Sequence, residues 1–473
     1  MLATNAPGMG EGSVMVAVRK RGSVRLTRWV LIPLAAAVSL LGLAAPAGAS
    51  GSPSAAAPTL ANVVSVASAP TGHSVCAVLS TGHVVCWGDN QEGELGNGTT
   101  TDSDVPVAAA GITKAKTVIA DESGTFCALL STGHVACWGE GTSGQLGNGT
   151  ITNSDVPVAV KTIGTAAALT GGQFGFCALL PTGHVDCWGN GGGALGNGTW
   201  TAYSDVPVAV SGISNAAAVT GGPDDFCALL STGDVDCWGY GEDGELGDGT
   251  TTSSNVPVAV QTISNATSVT ADYLEGTFCA VLSTGDVDCW GSNSSGQLGD
   301  GDGTTNSDVP VAATGVSAAT TLAAGTEDFC AVLSTGRMTC WGYNGSGQLG
   351  NGYTGDYSDV PRAVKNIKTA TAVTADETTG RSNSFCAMLS TRHVDCWGYG
   401  SDGELGDGTF SSSDVPVAVP AIGNAAAVTG SESGFCALLS TGHVDCWGYN
   451  LDGQLGNGTT TGSDVPVAVL APN

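Results

Sequence analysis

The chain has little positive charge. Only 14 of its 473 residues are Lys or Arg, against 42 Asp and Glu, and five of the 14 lie within residues 19–28. Beyond Ala49, nine basic residues stand against 41 acidic ones, a net charge of −32. Such a surface repels nucleic acid and anionic lipid, so neither is expected as a partner. Because the acidic residues are scattered along the sequence, we expect them to form a solvated surface rather than a dedicated site.

Motifs of common enzymes and metal sites are also absent. The sequence has no Gly-x-Ser-x-Gly elbow, His-Glu-x-x-His pair or phosphate loop, and no two cysteines lie two to four residues apart, as zinc sites require. Five histidines occupy one repeated position, where Asp234, Asp286 and Arg337 stand in other repeats. This exchange indicates exposed turns. The five are His83, His134, His184, His393 and His443. We therefore expect no metal, no cofactor and no enzymatic activity.

Long hydrophobic runs are scarce, and the main one follows the basic cluster. Residues 29–45 are apolar, and Ala47 and Ala49 have the small-x-small spacing of a signal-peptidase site. The run is shorter than the roughly 20 residues of a membrane span, and Pro33 interrupts it. The pattern predicts a signal peptide at 1–49, a disordered leader at 50–60, and a secreted protein at the cell surface or beyond it. No membrane span is expected after signal removal.

What the sequence has in abundance is one repeated phrase. The stretch CALLSTGHVDCWG at 436–448 returns in eight variants, spaced 50 to 56 residues apart. Repeats of this length indicate a propeller or a similar array, so residues 61–473 are predicted to form one domain. Each repeat contains four short apolar segments, which we call strands A, B, C and D in chain order. The sequence thus predicts an all-β propeller of four-stranded blades.

The composition of the strands orders each blade. Strand A is rich in alanine, as in AAAVT at 216–220, and suits the crowded axis. Strand D contains proline, as in VPVAV at 256–260, and proline belongs at a sheet edge because it cannot donate to the ladder. Eight complete repeats favour eight blades, with seven as the alternative.

All sixteen cysteines fall in the repeated phrase, two per repeat and ten positions apart. A three-residue hairpin loop pairs residues symmetrically about the Thr of Ser-Thr-Gly, which sets the two cysteines opposite each other and within reach of a disulfide. In the seventh repeat Arg392 stands where the others have the left-handed glycine of this turn. The predicted disulfides, typical of secreted proteins, are Cys76–Cys86, Cys127–Cys137, Cys177–Cys187, Cys227–Cys237, Cys279–Cys289, Cys330–Cys340, Cys386–Cys396 and Cys436–Cys446.

The second repeat shows a family resemblance. Ala128 to Gly139 reads A-L-x-x-x-G-x-V-x-x-W-G, and Gly144 to Gly149 reads G-Q-L-G-x-G. This pattern, present with variations in all eight units, resembles the regulator of chromosome condensation repeat family, and the cysteine pair is similar to a secreted bacterial branch of it. The resemblance implies a propeller, usually of seven blades, with the tryptophan between blades. The best-known member is a nuclear guanine-nucleotide exchange factor that inserts a wedge into a small GTPase. This acidic chain has no comparable insertion, so exchange activity is not expected.

The repeats differ most in the loop between strands A and B. These loops are predicted to share one face of the ring, and variable loops on a rigid scaffold are typical of recognition, although drift of unconstrained loops is the alternative. The two longest span 271–277 and 375–384. We therefore predict a monomeric scaffold that binds an extracellular protein, as an inhibitor or a receptor-like binder. The candidate contact residues are Asp272, Tyr273, Glu275, Asp376, Glu377 and Arg381.

Loop aromatics suggest a second function. Trp200, Tyr203, Tyr353 and Tyr357 lie in C–D loops, where the repeats also differ. Exposed aromatic rings are the usual platforms for sugars. A module that binds carbohydrate or the cell envelope is therefore the alternative function.

Overall fold

The computed structural model describes residues 57–69, 73–173, 175–272, 274–376 and 381–472. The signal peptide predicted at 1–49 and most of the predicted leader lie outside these residues. So do two predicted contact residues, Tyr273 and Glu377.

Eight four-stranded antiparallel sheets make up the described chain, which contains no helix. Each sheet has the order A-B-C-D and comes from one continuous stretch of chain, so the expectation of eight blades is confirmed and the seven-blade alternative is wrong. Strands A are Val63–Ser68, Ala115–Ala120, Ala168–Gly171, Ala216–Gly221, Ala266–Ala271, Ala319–Ala324, Ala370–Ala375 and Ala425–Ser431. Strands B are Ser74–Leu79, Phe126–Leu130, Gly175–Leu179, Asp225–Leu230, Thr277–Leu282, Asp328–Leu333, Ser384–Leu389 and Gly434–Leu439. Strands C are Val84–Gly88, Val135–Gly139, Val185–Asn190, Val235–Gly239, Val287–Gly291, Met338–Tyr343, Val394–Gly398 and Val444–Gly448. Strands D are Ser103–Ala108, Ser154–Ala159, Tyr203–Ala209, Ser254–Ala259, Ser307–Ala312, Tyr357–Ala363, Ser413–Ala418 and Ser463–Ala468.

Strands A line the axis, as the alanine-rich composition predicts. Each A strand contacts the A strands of the two neighbouring blades. Strands B and C are almost wholly buried, whereas strands D are half-exposed at the outer edge. The core therefore lies between blades, where apolar side chains of one sheet pack against those of the next.

The hairpin register is the one that the cysteine spacing predicts. Cys127 pairs with Cys137 and Leu129 with Val135. All eight predicted disulfides are present, with Cα atoms 4.0–4.1 Å apart. Arg392 adopts the left-handed conformation, with φ of 65°, that glycine takes at this turn in the other blades.

We call each interface between two consecutive blades a seam and number it by those blades. A tryptophan is buried at every seam. Its Nε1 donates to a backbone carbonyl in the C–D loop of the preceding blade, at 2.7–2.9 Å. Each ring is at most 1% exposed, so the prediction that it belongs to the core is confirmed. These residues are Trp87, Trp138, Trp188, Trp238, Trp290, Trp341, Trp397 and Trp447.

The ring is closed by the same bonds that join neighbouring blades inside it. Trp87 donates to the carbonyl of Gln454 across seam 8–1, at 2.7 Å. The N–H of Val63 donates to the carbonyl of Gly442 at 3.0 Å, as that of Ala115 does to Gly82 at 2.9 Å. Hence seam 8–1 repeats the backbone geometry of the internal seams.

A short segment before the first blade adds to this closure. Leu60 donates to the carbonyl of Val469, and Ala471 donates to that of Pro58, both at 2.8 Å. The Leu60 side chain is 2% exposed. Pro58 and Leu60 belong to the leader predicted at 50–60. The structure places this end of the leader against the edge of blade 8.

A candidate binding face formed by the A–B and C–D loops

The A–B and C–D loops share one face of the ring, which we call the loop face. They meet directly at seam 6–7, where the Gln348 side chain of a C–D loop donates to the carbonyl of Arg381 in an A–B loop, at 3.2 Å. The opposite face carries the B–C hairpin turns. Their histidines bond within their own turns, as His134 does with Thr132 at 3.1 Å.

Two of the predicted contact residues are buried. Asp272 and Asp376 are 0% exposed. Asp272 accepts from the N–H of Thr277 at 3.1 Å, and Asp376 accepts from the N–H and hydroxyl of Ser384 at 2.6 and 2.7 Å. An aspartate at the start of a turn often binds the backbone ahead of it in this way. Both carboxylates therefore shape their own loops, and their predicted direct contact with a partner does not fit this burial.

The other two described contact residues lie at the surface. Glu275 is partly exposed. The side chain of Arg381 is 52% exposed, but its Nε donates to Glu327 at 2.8 Å and its guanidinium lies 5.3 Å from the ring centre of Tyr343. Arg381 is thus held against its own chain, across seam 6–7.

The buried acids Glu327 and Asp328 at seam 6–7 each have a side-chain donor from the chain. The side chain of Glu327 is 4% exposed and is paired with Arg381. Asp328 is 0% exposed, and the amide of Asn383 donates to its two oxygens at 2.8 and 3.1 Å. Burial raises the pKa of Asp328 well above its usual value, and the hydrogen bond from Asn383 partly offsets that rise. The seam thus supplies a donor to each of these two acids.

Seam 4–5 carries buried carboxyl groups that receive no side-chain donor from the described residues. Asp225 is 1% exposed, and its Oδ1 has no hydrogen-bond partner among the described residues. Glu245 is 2% exposed and accepts from the N–H of Asp243 at 2.9 Å. Neither belongs to any of the ion pairs within the described chain. The seam therefore leaves an oxygen of Asp225 without a donor from the described residues.

Burial shifts the protonation of both groups. Burial raises the pKa of Asp225 well above its usual value, and the charges of Glu245 and Asp272 raise it further. Burial raises the pKa of Glu245 to about 7, despite backbone hydrogen bonds that lower it. The direction follows from the cost of charging a carboxyl away from water.

A cleft of about 170 Å³ opens over these two carboxyls. Asp224, Asp243 and Glu275 add acidic groups to its lining, and Pro223, Tyr240 and Leu274 add apolar surface. Sequence reasoning missed this convergence because the residues come from three loops. The only signal was a position seven residues after each tryptophan, which is Glu94, Glu245 or Glu404 in three blades and Gln145, Gln297, Gln348 or Gln454 in four.

The aromatic residues proposed as sugar platforms are exposed. Tyr353 and Tyr357 are 73% and 47% exposed and line a cavity of about 430 Å³ beside Arg362. Trp200 and Tyr203, in blade 3, are 57% and 44% exposed. Because blades 3 and 6 are three positions apart, the structure does not bring the two pairs into one site.

The described residues contain no group of three or more His, Cys, Asp or Glu side chains arranged to hold a metal ion. Nor does that part of the chain include a helix of the length and hydrophobicity needed to cross a bilayer.

Comparison with known proteins places the repeats. Models of the regulator of chromosome condensation (RCC1) repeat match residues 63–94 and 275–297, and 81–128, 132–179, 232–271 and 335–378. The E3 ubiquitin-protein ligase HERC2 of Homo sapiens and that of Mus musculus are each 32% identical over 104 residues, 21% of this chain. The match spans only 2% of the length of these relatives.

Solved structures show the same fold. Human WBSCR16 superposes with a TM-score of 0.58 at 20% identity, covering 72% of this chain and 95% of that one. Prp20p of Saccharomyces cerevisiae, described with its binding properties to Gsp1p and histones, gives 0.57 at 18% identity over 74% and 89%. The family-model matches agree with the repeated motif, and the chain contains RCC1 repeats at the matched residues between 63 and 378.

Proposed function

We propose that this protein is a secreted binding scaffold whose loop face engages an extracellular protein, rather than an enzyme. One disulfide in each blade supports an oxidising compartment, because such bonds persist outside the reducing cytosol. Binding to other proteins is also what the yeast relative Prp20p is described as doing, towards Gsp1p and histones. The regular ring supplies rigidity, and the loops supply differences between blades.

The observation that carries the proposal is the distribution of exposed large apolar side chains. Nine of the eleven in the described chain lie in or beside loops of the loop face. They are Ile151, Trp200, Tyr203, Tyr240, Leu274, Tyr353, Tyr357, Phe410 and Leu451. The other two are Val465, in a strand D, and Val64, next to Val63, whose N–H donates to Gly442 of a B–C turn. Exposed apolar and aromatic groups gathered on one face mark an interaction surface, and Tyr is enriched at binding hot spots.

Crosslinking on the secreting culture, followed by mass spectrometry, tests this assignment. The exported protein should begin near Ser50, and crosslinks to a partner should map to the A–B and C–D loops. A loop-face variant, Tyr240→Ser with Leu274→Ser and Tyr353→Ser, should weaken the binding of the identified partner at least tenfold, about 1.4 kcal/mol. The matched control is His134→Ser with His184→Ser and His443→Ser on the hairpin-tip face. Loss of binding in this control alone would overturn the proposal.

A carbohydrate-binding role is the second candidate, favoured by the cavity beside Tyr353 and Tyr357. A sugar ring stacked on either tyrosine could also reach the guanidinium of Arg362. A glycan array should then give binding that Tyr353→Ala and Tyr357→Ala abolish. Trp200→Ala in blade 3 is the control, and binding that survives the blade 6 changes would reject this site.

A further inference from the structure

We propose that the cleft at seam 4–5 binds the side-chain cation of an arginine or lysine on a protein partner. This rests on the proposed function, because it assigns part of the loop face to one kind of side chain. The cleft lies where the A–B and C–D loops of blade 4 meet the A–B loop of blade 5.

The floor of the cleft contains a buried carboxyl group with one unsatisfied oxygen. Asp225 is 1% exposed and lines the cleft. Its Oδ1, on the side of Gly222, has no hydrogen-bond partner among the described residues, and its Oδ2 lies on the side of Gly276. The carboxyl of Glu245 lies beside it, since a β-carbon built on Gly276 would approach Glu245 Oε1 to 3.4 Å and Asp225 Oδ2 to 3.6 Å. Hydrogen bonds from a cation to such carboxylates are the strong, charge-assisted kind.

The walls fit a side chain better than a bare ion. Tyr240 and Leu274 are 38% and 44% exposed and line the cleft together with Pro223. Lysine and arginine carry an aliphatic stem that packs on apolar surface while the charged head reaches a polar site. The volume of about 170 Å³ far exceeds the roughly 10–15 Å³ that one water needs. A metal ion would leave the apolar walls unused.

At seam 6–7, side chains of the protein itself donate to the acids that correspond to those of the cleft. Counted from the first cysteine of the following blade, Arg381 and Asn383 occupy the positions of Leu274 and Gly276. There the chain itself supplies a guanidinium and an amide to buried acids. At seam 4–5, Leu274 and Gly276 have no side-chain donor, so a donor from a partner protein can occupy the cleft instead.

The decisive experiment titrates the intact exported protein with hexa-arginine and hexa-lysine peptides at 0.15 M salt, by calorimetry. Two variants remove the acceptors with residues that other blades already use. Glu245→Gln copies Gln348, and Asp225→Ser copies Ser384. Each should weaken peptide binding at least tenfold. Glu404→Gln, the same change in blade 7 and outside the cleft, should leave the affinity unchanged.

Two results would overturn the inference. One is unchanged affinity in both cleft variants, and the other is an equal loss in Glu404→Gln, which would mean that only net charge matters. Leu274→Arg, at an exposed position, offers a check that leaves the floor intact. It should lower peptide affinity by supplying the cation from within, as Arg381 does.

Protonation gives an independent readout. A bound cation favours the charged form of the floor carboxyls, so binding should release protons and strengthen between pH 5 and 8. The titrating groups around Asp225 are Asp224, Glu245 and Asp272. Peptide affinity that does not change with pH would count against occupation of the floor. If the peptides fail to bind while loop-face variants still abolish partner binding, this inference falls and the proposed function stands. If the peptides bind the cleft but the partner crosslinks only to the hairpin tips, the proposed function falls instead.

Discussion

Seams 4–5 and 6–7 carry pairs of acidic residues at the same positions, but only the pair at seam 6–7 receives hydrogen bonds from side chains of the next blade. Asp224 and Asp225 precede strand B of blade 4 as Glu327 and Asp328 precede that of blade 6. At seam 6–7, Arg381 and Asn383 donate to these acids. At seam 4–5, an oxygen of Asp225 is left without a hydrogen bond inside the described chain.

The difference shows how a repeat scaffold can acquire a site while keeping the packing of its strands. Both seams keep the buried tryptophan and its hydrogen bond to the preceding blade, at 2.9 Å for Trp290 and 2.7 Å for Trp397. The A–B loops that carry the donors differ in length and sequence. Stability is therefore supplied by the repeated positions, while a few loop residues decide whether buried charge is neutralised internally or left for a ligand.

The largest effect is expected from removing an internal donor at seam 6–7. Asn383→Gly copies the residue of blade 5 and leaves Asp328 without the amide. Leaving a buried acceptor without its donor costs about 1–3 kcal/mol, so the free energy of unfolding should fall by that amount. Urea denaturation at pH 7 measures it. An unchanged midpoint would mean that the two seams do not differ as their hydrogen bonds suggest.

At seam 4–5, a substitution is expected to raise the free energy of unfolding rather than lower it. The folded-state pKa of Glu245 is raised from its usual value to about 7, so the folded protein binds more protons than the unfolded chain in this range, and stability falls as pH rises through it. Glu245→Gln removes this loss. The variant should match the parent at pH 4 and be more stable at pH 8 by about 1–2 kcal/mol.

Thermal unfolding at several pH values tests this profile. Glu404→Gln should behave alike, because burial raises the pKa of Glu404 to about 7 as well. A parallel shift at every pH would point to packing rather than to charge.

Seam 8–1 extends the comparison to a paired histidine. Burial lowers the pKa of His73, but the hydrogen bond and charge of Glu432 and the charges of Asp452 and Asp89 outweigh it, and the net pKa is raised. This stabilisation is fully present below about pH 6.5 and is lost as pH rises through the raised value. His73→Asn should therefore cost about 1 kcal/mol at pH 6 and less at pH 9. An equal cost at both pH values would exclude the ion pairs as its source.

The smallest effect concerns the hairpin-tip face at seam 7–8. Arg392 has a φ of 65° where the other blades have glycine. Arg392→Gly should stabilise the protein by about 0.5–1 kcal/mol, since glycine adopts this conformation without steric cost. Differential scanning calorimetry measures the change. A lower melting temperature would show that the arginine side chain contributes more than its backbone costs.

The fold could be predicted because its determinants are local and repeated. The Ser-Thr-Gly turn fixes which cysteines face each other, and the proline of strand D fixes the outer edge. Blade number follows from counting complete repeats. Each of these depends on residues within a single repeat, so one sequence contains the information eight times.

The candidate cleft could not be predicted, because it depends on distances between loops. Asp225, Glu245 and Glu275 are far apart in sequence and meet only when neighbouring blades pack. The expectation that scattered acids form only a solvated surface does not hold for Asp225 and Glu245, which are 1% and 2% exposed. The burial of Asp272 could not be predicted for a related reason, since a loop position does not reveal whether a carboxylate faces water or its own backbone.

The hairpin disulfides have a consequence for survival among proteases. Each B–C turn lies inside a covalent loop, as 131–133 lies between Cys127 and Cys137. A peptide bond cut in that exposed turn would leave both fragments joined through sulfur, and strands B and C would keep their register. On the hairpin-tip face, the B–C turn of every blade can thus be cleaved without releasing a fragment of the ring.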